Sequence, residues 1–273
     1  MEYKQLTKNV KIPVLGLGTW KVGGGYFPLP FKDKQEIQAL KEGIKLGMTH
    51  IDTAELYAFG HAEEVVGKAI KPFNREELFI TTKVSGNNLR YDQVIEACEK
   101  SLKRLETEWI DLYLIHWLNS SVPLKETMQA MEKLANEELI KFIGVSNFSL
   151  KEMIEAQSYL KKHRIVNNQV HYNLLVREPE KELLPYCQQN GIILTAYTPI
   201  ERGKLARPGY PVLDAIAEKY NKTRAQVAIN WLVSKNNVIT IPKSTNLSHL
   251  KENLGAIGWK LSDRDIEKLD KAF

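Results

Sequence analysis

Residues Leu78–His116, LFITTKVSGNNLRYDQVIEACEKSLKRLETEWIDLYLIH, decide how this chain folds. The segment opens on a short β-branched and apolar run, Leu78–Lys83, and crosses a Ser, Gly and Asn cluster that punctuates like a loop. It then enters Tyr91–Leu105, where apolar residues recur at helical spacing, and ends in a second apolar run, Ile110–His116. Strand, amphipathic helix and strand in that order make a parallel pair joined by a helical crossover.

The same alternation extends in both directions. Further strand runs are Val14–Thr19, Thr49–Thr53, Ile140–Ser146, Val166–Val170, Ile192–Tyr197 and Val238–Ile241, which brings the count to eight. Helical patterns lie at Lys34–Leu46, Ala62–Ile70, Leu124–Ala135, Leu150–Lys161, Glu180–Gln189, Arg224–Val233 and His249–Leu254, with an additional helix at Pro211–Tyr220. Eight repeats in one chain favour closure into an α/β (β/α)8 TIM barrel. A length of 273 residues fits, because such a barrel of about 250 residues is an ordinary single domain. YKQLTKNVKIPVLGLG alternates around Lys8-Asn9 as an N-terminal hairpin would, and LSDRDIEKLD reads as an extra C-terminal helix capped by Ser262, with Asp265 in its first turn. No low-complexity linker interrupts the chain, so residues 1–273 are expected to form one domain. An open doubly wound sheet would carry GxGxxG in its first strand-turn-helix unit, and GLGTWKVGGG does not fit that pattern.

Composition narrows the function. Hydrophobic residues make up 43% and charged residues 26%, a globular balance, and no apolar run approaches the roughly 20 residues that span a bilayer. MEYKQLTKNVKIP lacks the apolar stretch of a signal peptide, so a cytoplasmic protein is expected. The net charge of +5 is spread over interleaved acids and bases, which argues against a nucleic-acid partner. Cys98 and Cys187 stand far apart in helix-like stretches, so neither a disulfide framework nor a CxxC metal site can form.

In barrels of this kind the chemistry sits where strands end. HIDTAELY closes the second strand run, and period two puts His50 and Asp52 on one face, with Asp52 nearer the mouth. Tyr57 follows in the next loop. Lys83 ends the third run and His116 the fourth. Each has a purely structural alternative: an Asp-Lys pair as a barrel ion pair, a strand-end His as a hydrogen-bonded core residue, a loop Tyr as packing. Converging on one rim, they make a proton donor for carbonyl reduction. Hydride arriving at a carbonyl carbon leaves negative charge on oxygen that must be stabilised and protonated. Tyr57 can give that proton. Lys83 is expected to lower its pKa, Asp52 to hold the lysine, and a neutral His116 to hydrogen-bond the carbonyl oxygen.

The segments GLGTW, HIDTAELY, ITTK, DLYLIHW, GVSNF, NNQVHYN, TAYTPI and IPKS stand in an order and spacing that resembles the aldo-keto reductase family from the hairpin to the terminal helix. The resemblance implies an oxidoreductase that reduces aldehydes and ketones to alcohols with NADPH. It implies that Asp52, Tyr57, Lys83 and His116 are the catalytic residues, with Tyr57 as general acid. By the same matching, Ser146, Asn147 and Gln169 would hold the nicotinamide carboxamide and Tyr197 would stack on its ring, with Gly18, Thr19 and Trp20 near that end. Lys243 and Ser244 would take the adenosine 2'-phosphate, while Glu252 and Asn253 would approach the adenine. Where relatives place an arginine, this chain has His249, which lacks the planar fork and the permanent charge that suit a phosphate. Some NADH use is therefore expected.

Substrate choice in the family is implied to lie in loops and a C-terminal extension. Here WLNSSVP is short and the chain stops at Phe273 soon after its last helical run. The expectation is an open pocket of Trp20, Tyr57, His116 and Trp117 that takes varied aldehydes and α-dicarbonyls, in a monomer. Two alternatives stay open: a metal-assisted hydrolase or lyase using His50, Asp52 and His116, though no HxH or HExxH pattern supplies ligands, and a cofactor-binding regulatory subunit.

Overall fold

The computed structural model describes residues 1–25 and 27–273. An antiparallel hairpin of β1 (Tyr3–Thr7) and β2 (Val10–Pro13) precedes eight parallel strands: β3 (Leu17–Gly18), β4 (His50–Asp52), β5 (Phe79–Val84), β6 (Ile110–Ile115), β7 (Ile140–Ser146), β8 (Ile165–His171), β9 (Ile193–Tyr197) and β10 (Val238–Thr240). They pair in chain order from β3 to β10. The ring then closes, because Gly16 N–H donates to Thr240 C=O at 2.9 Å and Thr240 N–H to Val14 C=O at 2.9 Å. The first and last strands are shorter than the sequence suggests. Their seam is held by isolated bridges, Leu15 to Thr240 and Gly18 to Lys243, and Pro242 has no N–H to extend the ladder. Gly18 makes the approach possible: a Cβ there would lie 2.5 Å from the Ile241 carbonyl oxygen.

The strand residues that point inward form a separate apolar cluster of Phe79, Leu112, Leu114, Val166, Ile193 and Ile239, onto which the hairpin places Leu6 and Ile12. The hairpin thus stoppers the end where strands begin, and the polar residues at the opposite end are left to form the mouth.

Outside run α1 (Asp33–Lys45), α2 (His61–Ile70), α3 (Tyr91–Leu105), α4 (Leu124–Asn136), α5 (Leu150–Ser158), α6 (Leu183–Gln189), α7 (Pro211–Lys219), α8 (Arg224–Ser234), α9 (Leu247–Leu254) and α10 (Asp263–Ala272). In α3 the buried residues Val94, Ala97, Cys98, Ser101 and Leu105 form one stripe against the sheet. Ser262 caps α10 as expected, accepting from Asp265 N–H.

Three helix boundaries differ from the sequence reading by more than one residue. The α5 helix ends at Ser158 because the Glu132 carboxylate captures the amides of Lys161 and Lys162, at 2.6 and 2.8 Å. Glu180–Gln189 divides into a short turn at Glu178–Glu180 and α6; Glu180 is engaged by the Tyr172 hydroxyl and Arg177, both at 2.5 Å. Finally, α9 starts at Leu247, two residues early, because Asn246 accepts from Ser248 N–H and supplies the cap. Both cysteines are free and buried, and burial pushes each thiol up to about 12, so both are inert.

Candidate active site

The four rim residues meet. Asp52 ends β4 and Lys83 lies on β5, side by side in the inner wall and both buried. The Lys83 ammonium donates to Asp52 Oδ1 at 2.6 Å and to the Thr53 carbonyl at 2.8 Å. The second carboxylate oxygen of Asp52 accepts from Gln169 Nε2 at 2.7 Å, across the barrel from β8. Burial pulls Lys83 down, but the negative charge of Asp52 and the hydrogen bonds around it outweigh that and leave the ammonium above its ordinary range.

Tyr57 begins a tight turn, Tyr57–Gly60, in which Ala58 and Phe59 both adopt left-handed backbone. Its ring stands edge-on to Trp20 at 5.0 Å and to His116 at 5.7 Å between centres, with Lys83 Nζ 5.2 Å from its own centre. Here the expected pKa direction is corrected. Lys83 does pull the phenol down, yet burial outweighs it and Asp52 adds to burial, so Tyr57 titrates above 10. A raised pKa keeps the acid loaded with its proton.

His116 follows β6, with its backbone N–H donating to Val84 C=O at 2.9 Å. Burial, with the Lys83 charge second, lowers its pKa to about 3, so the imidazole is neutral. Its Nδ1 is buried without a hydrogen-bond partner among the described residues. Trp117 stacks beside it at 6.2 Å and is 48% exposed, which places it at the lip.

The residues matched to the nicotinamide end form one hydrogen-bonded chain. Ser146 Oγ donates to the Gln169 carbonyl at 2.9 Å, and Asn147 Nδ2 donates to Ser146 Oγ at 3.0 Å and to the His116 carbonyl at 3.1 Å. Asn147 Oδ1 in turn accepts from the Tyr197 hydroxyl at 2.9 Å. Asn147 sits at φ 61°, the left-handed region that asparagine tolerates. Thr19 Oγ1 donates to the Asp52 carbonyl at 2.9 Å, so this hydroxyl braces the first strand rather than facing the mouth.

Lys243, bridged to Gly18 at the seam, is exposed, and no carboxylate among the described residues forms an ion pair with it. Desolvation lowers its pKa; Glu36 opposes this, while Lys21 and Lys32 add to it. An unpaired cation with two more nearby fits an anionic phosphate. Ser244 is committed to its own turn, accepting from Asn246 N–H at 3.0 Å and donating to the Asn246 carbonyl at 3.1 Å. His249 is exposed, Glu252 half-buried, and Asn253 buried in the base of α9.

Sequence reasoning missed Lys21 and Lys32, and also His171, which lies flat on Tyr197. His171 stands two residues after Gln169, so period two could have placed it on the same inner face. His50 is brought inward but kept apart: its Nε2 pairs with Thr81 Oγ1 at 3.0 Å and its ring meets Phe79 edge-on. Among the described residues no three His, Cys, Asp or Glu side chains converge as a metal ligand set, and no helix is long and apolar enough to cross a membrane.

Comparison with known proteins identifies the family. Residues 14–273 match the model of the aldo/keto reductase family. Methylglyoxal reductase YeaE of Escherichia coli is 39% identical over 272 residues, covering 98% of this chain and 94% of its own. The crystal structure of the thermostable aldo-keto reductase Tm1743 with the inhibitor epalrestat superposes with a TM-score of 0.97 at 45% identity, covering 100% of both chains. An aldo/keto reductase from Klebsiella pneumoniae, solved with NADP and acetate, gives 0.88 at 35% identity, covering 98% of this chain and 94% of that one.

Proposed function

This chain belongs to the aldo/keto reductase family, and from that premise we propose that it reduces small aldehydes and α-dicarbonyls with NADPH, using Tyr57 as the acid. The observation that carries the proposal is the buried Asp52–Lys83 pair set against the Tyr57 ring, with a neutral His116 alongside.

Bound NADPH supplies the hydride. In this reading Lys243, with Lys21 and Lys32 near it, holds the phosphate end; Ser146, Asn147 and Gln169 hold the carboxamide, and Tyr197 meets the ring. The protein's part in the chemistry is to manage one proton and one negative charge. Tyr57, protonated throughout the neutral range, gives its proton to the carbonyl oxygen. The Lys83 cation then faces the phenolate, and Asp52 and the Thr53 carbonyl keep that cation in place. Neutral His116 has one N–H to offer the same oxygen, which orients the carbonyl before transfer.

Trp20, Tyr57, His116 and Trp117 wall the pocket with aromatic faces and few polar selectors, which supports broad specificity of the aldehyde-reductase type. The methylglyoxal reductase named above fits the α-dicarbonyl part of the proposal. We take the whole chain 1–273 as one catalytic barrel, a monomer in the cytoplasm; a dimer mass in sedimentation equilibrium would overturn the monomer.

The test is NADPH consumption against a panel of aldehydes, α-dicarbonyls, sugars and keto acids, for wild type and Tyr57→Phe. Loss of about a hundredfold to ten-thousandfold in kcat is expected for the variant. Full activity without the hydroxyl would remove Tyr57 as the acid, and one sugar or keto acid outrunning simple aldehydes by orders of magnitude would remove broad specificity.

A further inference from the structure

Tyr197 is held from two directions. Its hydroxyl is tied to Asn147 at 2.9 Å, and one ring face is covered by the His171 imidazole, 5.3 Å between centres and only 10° from parallel. With the backbone fixing its Cβ end and the Asn147 bond its hydroxyl, the ring keeps only rotation about its long axis. A flat ring laid against the face removes that freedom.

His171 is itself fixed by the loop after β9. Its Nε2 meets Glu201 Oε2 at 2.8 Å, and the same carboxylate oxygen accepts from Asn173 Nδ2 at 2.9 Å. Asn173 Nδ2 also donates to the Thr198 carbonyl at 2.9 Å, one residue past Tyr197. Burial pushes the Glu201 carboxyl up, but the hydrogen bonds from Asn173 and His171 outweigh it and hold it below the usual range. Glu201 and the neighbouring Arg202 adopt φ of 45° and 54°, left-handed backbone that neither side chain favours, so the loop is drawn into this shape by the contacts it makes.

We propose that His171, braced by Glu201 and Asn173, is a positioning residue that backs the Tyr197 ring and holds its other face ready for the nicotinamide. This rests on the assignment of Tyr197 as the stacking residue. His171 acts here through Tyr197 and makes no contact with Asp52, Tyr57, Lys83 or His116 among the hydrogen bonds and ring pairs of the described residues. Its contribution is preorganisation: the ring pays less ordering entropy on binding because the entropy is already lost. The effect therefore falls on cofactor affinity and leaves the proton-transfer residues untouched.

The experiment is equilibrium titration of NADPH, by quenching of protein fluorescence, into wild type, His171→Ala, His171→Phe and Tyr197→Ala, with kcat measured at saturating cofactor. Asn173 keeps Glu201 hydrogen-bonded in both His171 variants, and their melting curves report folding. His171→Ala is expected to weaken binding by about threefold to tenfold, the worth of an aromatic pair, with kcat at saturation little changed. His171→Phe, which keeps a flat ring but loses the imidazole bond, is expected to bind as wild type. Wild-type affinity in His171→Ala alongside weakened Tyr197→Ala overturns the backing role alone. Equal weakening in His171→Phe and His171→Ala also overturns it, because the bond to Glu201 and not the ring would then matter. Unchanged affinity in Tyr197→Ala overturns the stacking assignment beneath it.

Discussion

The Lys83 ammonium lies 2.6 Å from Asp52 Oδ1 with both side chains withdrawn from water, so each charge depends on the other. Removing one partner strands the other. Lys83→Met is expected to cost about 3–5 kcal/mol of stability and Lys83→Met with Asp52→Asn much less, since the second change removes the orphaned charge. Activity is expected to stay low in both. Chemical denaturation and steady-state kinetics on the two variants separate the structural part of the pair from the catalytic part; equal stability of the single and double variants would count against it.

Because Tyr57 is raised above 10 and His116 lowered to about 3, neither changes protonation between pH 6 and pH 9. The kcat/KM for reduction should be flat across that interval, with no inflection near the ordinary histidine value. A break close to 6.5 that disappears in His116→Gln would show the imidazole titrating in its normal range instead.

Stability should nonetheless depend on pH below neutrality. Burial, with Lys83 second, lowers both His50 and His116 from 6.5 to about 3. Between those values the unfolded chain binds protons that the folded chain refuses, so stability is lost as pH falls from 6.5 towards 3. The slope is about 1.4 kcal/mol per pH unit for each histidine. His50→Asn, which keeps a hydrogen-bonding group for Thr81, should roughly halve it in denaturation curves collected at several pH values. An unchanged slope would mean that His50 does not contribute.

Gly18→Ala tests the closure of the ring. The added Cβ would meet the Ile241 carbonyl oxygen at 2.5 Å, a backbone atom that cannot swing aside. A loss of about 1–3 kcal/mol is expected, seen as a lower melting temperature, together with weaker NADPH binding because the seam carries Lys243. A variant as stable as wild type would show that the seam can open at little cost.

Cofactor choice rests on Lys243 and His249. Lys243→Ala should lower kcat/KM with NADPH about tenfold to a hundredfold and disturb NADH far less, since only the former carries the 2'-phosphate. His249→Arg should widen the preference for NADPH. If wild type already uses both cofactors equally and neither variant changes the ratio, the phosphate is held elsewhere.

Much of the fold and of the rim is legible in the sequence. Alternation of β-branched and amphipathic runs reports local backbone preference, and eight repeats reveal a ring. Period two showed that His50 and Asp52 share a face, and strand ends at Lys83 and His116 pointed to the rim. Four things were decided only by the tertiary structure: the Gln169 bond to Asp52 across 117 residues, the closeness of Gly18 to Ile241, the backing of Tyr197 by His171, and the upward pKa of Tyr57. The reason is common to all four. Periodicity tells which way a side chain points, but its distant neighbours and the water it loses are determined only when the barrel closes.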